Sequence, residues 1–237
     1  MKLLGLVLVD PPQAARQAIA RPRPMAWTAG VLALIALAGV STLPRQLALL
    51  TASLAPTGDL MQDMHYSALR DGLVRIILAD RLVPPPTIVL GGAILALAAE
   101  PILALAEERR RAVWAVLLLG IAPLLIQRVG ELAVTYLATT GPRPHPGDAV
   151  GLPQRFTTGP LLFWSAGDPP PWLLSVNQRF NLVSLWSLVL WSMGLRELDD
   201  RHWRAWHLAL PVCCLGLAAL FTWWLGPMVT SIVLRSP

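Results

Sequence analysis

The sequence predicts an all-α, polytopic integral membrane protein with five membrane-spanning helices, and three observations predict it. The chain is 55% hydrophobic and only 14% charged, which leaves too little polar surface to coat a soluble globule. Its apolar residues are gathered into five long blocks instead of being spread evenly, as spans and their connecting loops require. Between the blocks stand Pro-rich, Gly-rich and charged stretches that end helices. A mean hydropathy of +0.57 agrees with a lipid-facing exterior. The whole chain, 1–237, reads as one transmembrane domain with spans at about 25–43, 87–106, 112–137, 180–195 and 207–234, and outer loops at 44–86 and 138–179.

At the N-terminus, Lys2, the apolar run 3–9 and the small residues Ala18 and Ala20 imitate a secretory leader. Asp10, Pro11, Pro12 and Arg16 intervene before those small residues, which is the wrong spacing for cleavage. The segment is expected to stay, as a short helix on the membrane surface opening at Pro11 and Pro12. The first span is uncharged, carries Trp27 near its start and is closed by Pro44 and Arg45; about 20 residues at ~1.5 Å each cross a ~30 Å core. In the following polar stretch, Asp59 is placed to cap an amphipathic, interfacial helix with Leu69, Leu73, Ile76 and Ile77 on one side.

The second span follows the stiff run 84–86 and ends in the charged run 107–111, a tight turn in water. The third opens at Ala112 and Trp114, contains Pro123 and passes Arg128 and Glu131 on its way to Leu137. The Pro- and Gly-rich segment 138–179 is an outer loop in which Trp164 and Trp172 dip into the headgroups. The fourth span leads through a charged connector, 196–204, into the fifth, which Pro211 and Pro227 should kink or tilt.

Orientation follows from basic residues. With the N-terminus inside, the inner segments hold ten Lys and Arg in 43 positions and the outer segments eight in 88, so the positive-inside rule favours N-in and C-out. Trp27, Trp114, Trp203 and Trp206 then mark inner ends, and Trp164, Trp172, Trp223 and Trp224 outer ones. The net charge of +5 and pI near 10.2 fit anionic lipid headgroups and not nucleic acid, because the basic residues sit at block ends and form no stripe interleaved with exposed aromatics. One lysine among 19 basic residues, with abundant Ala, Leu, Pro and Arg, suggests a GC-rich bacterial genome and hence a bacterial cytoplasmic membrane. The adjacent Cys213 and Cys214 lie in an apolar block and read as small packing residues. No internal repeat of the kind that builds many transporters is evident.

Intramembrane ionisable groups are the first place to seek function, since each costs roughly 2.5–3.5 kcal/mol at the bilayer centre. Glu100, beside Pro101, is either a proton or ion ligand or a snorkelling or protonated carboxyl against a neighbouring helix. Arg128 and Glu131, three residues apart, face the same way on a helix and can neutralise each other; the same pair is also a candidate part of a substrate path, placed towards the outer surface. The triplet Arg109, Arg110 and Arg111 can contact anionic lipid headgroups, at ~1 kcal/mol each, or simply set topology. His65, His145, His202 and His207 have no metal-binding spacing, and the chain has no GxSxG, no Gly-rich phosphate loop and no CxxC. These absences disfavour an enzyme, and no cofactor or metal is expected.

The segment FNLVSLWSLVLWSMGLREL at 180–198, with Trp186 inside it and Gly194 near its end, resembles the fourth span of the Yip-type membrane proteins, whose eukaryotic members interact with Rab GTPases. The last span opening at Ala205, the N-terminal LVDPPQAARQAIARPRP and the RRRAVWAVLLLGIAPLL around Pro123 are further echoes. The resemblance implies five spans, N-in and C-out, and a non-enzymatic role in organising membranes or binding other membrane proteins, itself among them. The chain lacks the long cytoplasmic N-terminal region of the eukaryotic members, which weighs against GTPase recruitment. The alternative function is a small permease or lipid or solute transporter using Glu100 or the Arg128 and Glu131 pair.

Overall fold

The computed structural model describes residues 6–7, 9–21, 24–54, 59–82, 86–103, 107–137, 170, 173, 176–177, 180–199 and 203–235. All regular structure among them is helical: α1 (Pro11–Ala20), α2 (Pro24–Val40), α3 (Leu43–Ser53), α4 (Leu60–Leu82), α5 (Pro86–Ile102), α6 (Glu107–Leu119), α7 (Pro123–Leu137), α8 (Leu182–Leu198) and α9 (Trp206–Arg235). The expected loop 138–179, with Trp164 and Trp172, falls almost wholly outside the described residues.

Local sequence explains the helix ends. The Asp10 carboxylate accepts from the Gln13 amide at 3.1 Å, and Pro11 and Pro12 fill the first turn of α1, where no donor is needed. Asp59 caps α4 by accepting from the Met61 amide at 3.0 Å. Asn181 and Ser184 cap α8 reciprocally: the Ser184 amide donates to Asn181 Oδ1 at 3.0 Å and the Asn181 amide donates to Ser184 Oγ at 2.8 Å.

Two helical stretches, Ala29–Ser53 and Trp206–Leu225, are long and apolar enough to cross a membrane by length and composition, and Thr87–Ile102 is a shorter apolar helix. The spans differ from their expected outlines for identifiable reasons. Pro44 does not close the first: it lies in the first turn of α3, a position that tolerates proline, so helix continues well beyond residue 43 after a turn at Ser41 and Thr42. The expected loop 44–86 contains α3 and α4, which share a small core of Leu49, Leu50, Leu54 and Ile77. The expected turn at 107–111 is the first turn of α6. The third span is broken at Gly120, Ile121 and Ala122 into two shorter helices, because Pro123 cannot donate to the Leu119 carbonyl; the Ala122 amide takes that acceptor instead, at 3.1 Å.

The main core unites residues from all five expected spans, among them Ile35 of α2, Leu95 and Ala99 of α5, Val116 of α6, Trp191 and Leu195 of α8, and Leu215 of α9. Helices α5 and α9 form the most extensive pairing, with Gly91 facing Leu215 and the Trp191 ring. Cys214 packs in this core and Cys213 is exposed; both are free thiols. The N-terminal helix docks one side on the bundle and leaves Gln13, Arg16 and Gln17 exposed on the other. Ala14, Ala15 and Ala18 are buried where α1 packs against α6 and α8, and the Trp186 indole N–H donates to the Val7 carbonyl at 3.3 Å.

Candidate functional site

The interruption between α6 and α7 is the most elaborate polar feature of the bundle. A break in a helix leaves carbonyls without their usual donors, which are replaced by local turn bonds, as from the Gly120 amide to the Leu117 carbonyl at 3.2 Å, and by side chains. Two residues of α8 supply those side chains. The Trp191 indole N–H donates to the Leu117 carbonyl at 2.8 Å, and the Ser187 hydroxyl donates to the Gly120 carbonyl at 2.6 Å. Trp191 is fully buried, and glycines make room for it. A Cβ on Gly92 would lie 3.3 Å from the indole, and one on Gly120 would be driven into the ring itself. One turn further along α8, a Cβ on Gly194 would collide with Val116 Cγ1.

The pair predicted from sequence forms. Arg128 Nη1 donates to Glu131 Oε2 at 2.8 Å, and the Gln127 side chain donates through Nε2 to Glu131 Oε1 at 3.0 Å. The two residues are 4% and 7% exposed, where α2, α3 and α8 pack against α7. Glu100 accepts from the Trp114 indole N–H at 3.1 Å, which is the neighbouring-helix contact of its structural reading. Glu100 and the Arg128 pair thus stand on different helices with different partners. Arg111 is exposed on α6, whereas the side chains of Arg109 and Arg110 lie outside the described residues.

A third cluster, not anticipated, closes the connector between α8 and α9. The Arg204 amide donates to His207 Nδ1 at 3.0 Å, which leaves Nε2 to carry the proton and donate to Asp199 Oδ2 at 3.1 Å. Arg204 also reaches Asp199, through Nε at 3.5 Å. The fully buried His207 ring lies against Trp206, at 4.2 Å between centroids, and edge-on to Trp203. Arg196 stacks over the Trp203 face with its guanidinium carbon 5.1 Å from the ring centre. Beside it, Arg16 of α1 pairs with Glu197 at 3.2 Å. Sequence reading passed over His207 because it sought metal spacing, whereas the partners are a carboxylate eight residues earlier and a backbone amide.

Trp191 and Ser187 join α8 to the α6 and α7 junction, and Glu100 joins α5 to Trp114 of α6, whereas the Gln127, Arg128 and Glu131 contacts lie within α7. Among the described residues, no three His, Cys, Asp or Glu side chains converge as metal ligands. Set against models of known protein families, characterised proteins and solved structures, the chain matches none.

Proposed function

We propose that this chain is a five-span integral membrane protein of the Yip type, N-in and C-out, acting without catalysis as a membrane-organising or partner-binding scaffold in a bacterial cytoplasmic membrane. The observation that carries the reading is that apolar side chains face outward while several ionisable ones are held inside. Leu37 of α2, Leu97 of α5, Val129 of α7, Leu185 of α8 and Leu217 of α9 are each more than half exposed. Arg128, Glu131 and His207 are buried, at 4%, 7% and 0% exposure. Water would penalise such outward apolar faces by roughly 25 cal/mol for every Å², whereas hydrocarbon accepts them and drives ionisable groups inward. The scaffold reading draws on the internal pairing of Glu100 with Trp114 and of Arg128 with Glu131, which supports helix packing over a permease path. It also draws on the segment resembling the Yip fourth span, which forms the tightly packed α8.

Topology reporters test this directly. Alkaline phosphatase and fluorescent-protein fusions after residues 111, 150 and 237 should report cytoplasm, exterior and exterior. Finding residue 111 and the C-terminus on one side would overturn the five-span reading. Affinity purification of the full chain from gently solubilised membranes should then retain a defined membrane-protein partner or a second copy; recovery of the bare monomer alone would overturn the scaffold role.

A further inference from the structure

Helix α9 begins on a cap that can be protonated. The His207 amide donates to the Arg204 carbonyl at 3.1 Å, and the Arg204 amide donates back to His207 Nδ1 at 3.0 Å. The second bond is the return half of a capping box, with an imidazole where Glu or Gln usually stands. This acceptor, unlike a carboxamide, takes a proton near neutral pH. The rest of the ring is held: Nε2 faces Asp199 Oδ2 at 3.1 Å, Trp206 and Trp203 lie against it, and the side chain is fully buried. Among the described residues, the charged groups acting on the ring are the anion Asp199 and the cations Arg204 and Arg196. Asp199 is already shared with Arg204, at 3.5 Å. Helices α4, α5 and α8 pack against α9; on them Arg70 pairs with Asp71 at 3.8 Å, Glu100 is bound by Trp114, and Glu197 pairs with Arg16.

We infer that His207 is an acid-sensitive latch, whose protonation releases the first turn of α9 and opens the connector between α8 and α9. A proton on Nδ1 sets an N–H against the Arg204 N–H, and neither can accept. Because Asp199 and the two indoles hold the ring, the Arg204 backbone is the partner that moves. The new cation also stands at the positive end of the α9 dipole beside two guanidinium groups, with only the shared Asp199 to offset them. The connector is therefore closed above the pH at which the ring titrates and opens as the pH falls through it. Opening frees Arg204 and the Trp203 ring on which Arg196 stacks. The inference goes beyond the scaffold reading and does not depend on it, since these hydrogen bonds are the same on either side of a membrane.

The test uses the full-length protein in detergent micelles. Nitrogen-15 NMR of labelled histidines reads the tautomer of His207, and hydrogen exchange with mass spectrometry, corrected for the intrinsic rate, reads the connector. At about pH 8 the proton should sit on Nε2. Exchange at residues 203–207 should then rise towards about pH 5, by up to about tenfold per pH unit, the limit for one proton. His207→Gln, whose carboxamide can accept from the Arg204 amide and donate to Asp199, should stay closed across that range. Asp199→Asn, which removes the anion that favours a charged ring, should move the transition to more acid pH. A full transition in His207→Gln, or a wild-type proton on Nδ1 at about pH 8, would overturn the latch. So would an equal rise in peptides from α6, which reports unfolding of the whole bundle. Should His207→Gln not fold, the wild-type tautomer and exchange profile decide alone.

Discussion

Substituting Gly120 by alanine should destabilise this protein more than the same change at Gly30, Gly91, Gly92 or Gly216. The new Cβ would point into the Trp191 indole, a fully buried ring whose N–H is held by the Leu117 carbonyl at 2.8 Å. Overpacking of this kind costs about 1–3 kcal/mol. Displacing the indole also stretches its 2.8 Å bond to the Leu117 carbonyl, worth about 0.6–1.5 kcal/mol in a membrane protein. The expected loss is therefore about 2–4 kcal/mol, a large fraction of the stability of an ordinary domain. Equilibrium unfolding in mixed micelles, followed by circular dichroism, measures it. Gly30→Ala is the control, since a Cβ at Gly30 meets nothing within 4 Å and the exchange should be neutral or stabilising by up to ~1 kcal/mol. A double-mutant cycle with Trp191→Leu should show that most of the Gly120→Ala cost disappears once the indole is gone. If Gly120→Ala lies within 0.5 kcal/mol of wild type, roughly the noise of a surface substitution, the account of the α6 and α7 junction is wrong.

Two further perturbations follow from the same packing. Gly194→Ala should cost about 1–3 kcal/mol through its collision with Val116, and adding Val116→Ala should restore part of that loss in the same unfolding assay; no restoration would mean that the contact is not the cause. Arg128→Met alone leaves the buried Glu131 carboxylate without its 2.8 Å cation and should cost about 3 kcal/mol or more. Arg128→Met with Glu131→Leu should be milder than either single change, and simple additivity of the two would argue against a self-contained pair.

The comparison of sequence with structure is instructive at particular residues. The Arg128 and Glu131 pair was legible because three residues on a helix set two side chains side by side, and Asp59 declares its helix start through a local hydrogen bond. Pro44 and Pro123 misled or informed according to position. A proline in a first turn starts a helix as readily as it ends the preceding one, so Pro44 could not say which. The docking of α1 onto α6 and α8 was invisible, because an amphipathic face shows that one side of a helix is buried and does not name the helices that cover it.

What the sequence determined by itself is the all-helical class, the division into apolar blocks and the polar pairs spaced within one helix, since hydrophobic length and helical phase are properties of a single stretch of chain. The tertiary structure decided what a break in α6 and α7 does, which glycines accommodate Trp191, and that Asp199, Arg204 and His207 form one cluster around a buried ring. Those outcomes depend on which side chains meet across helices, and close packing leaves no local trace of its partners.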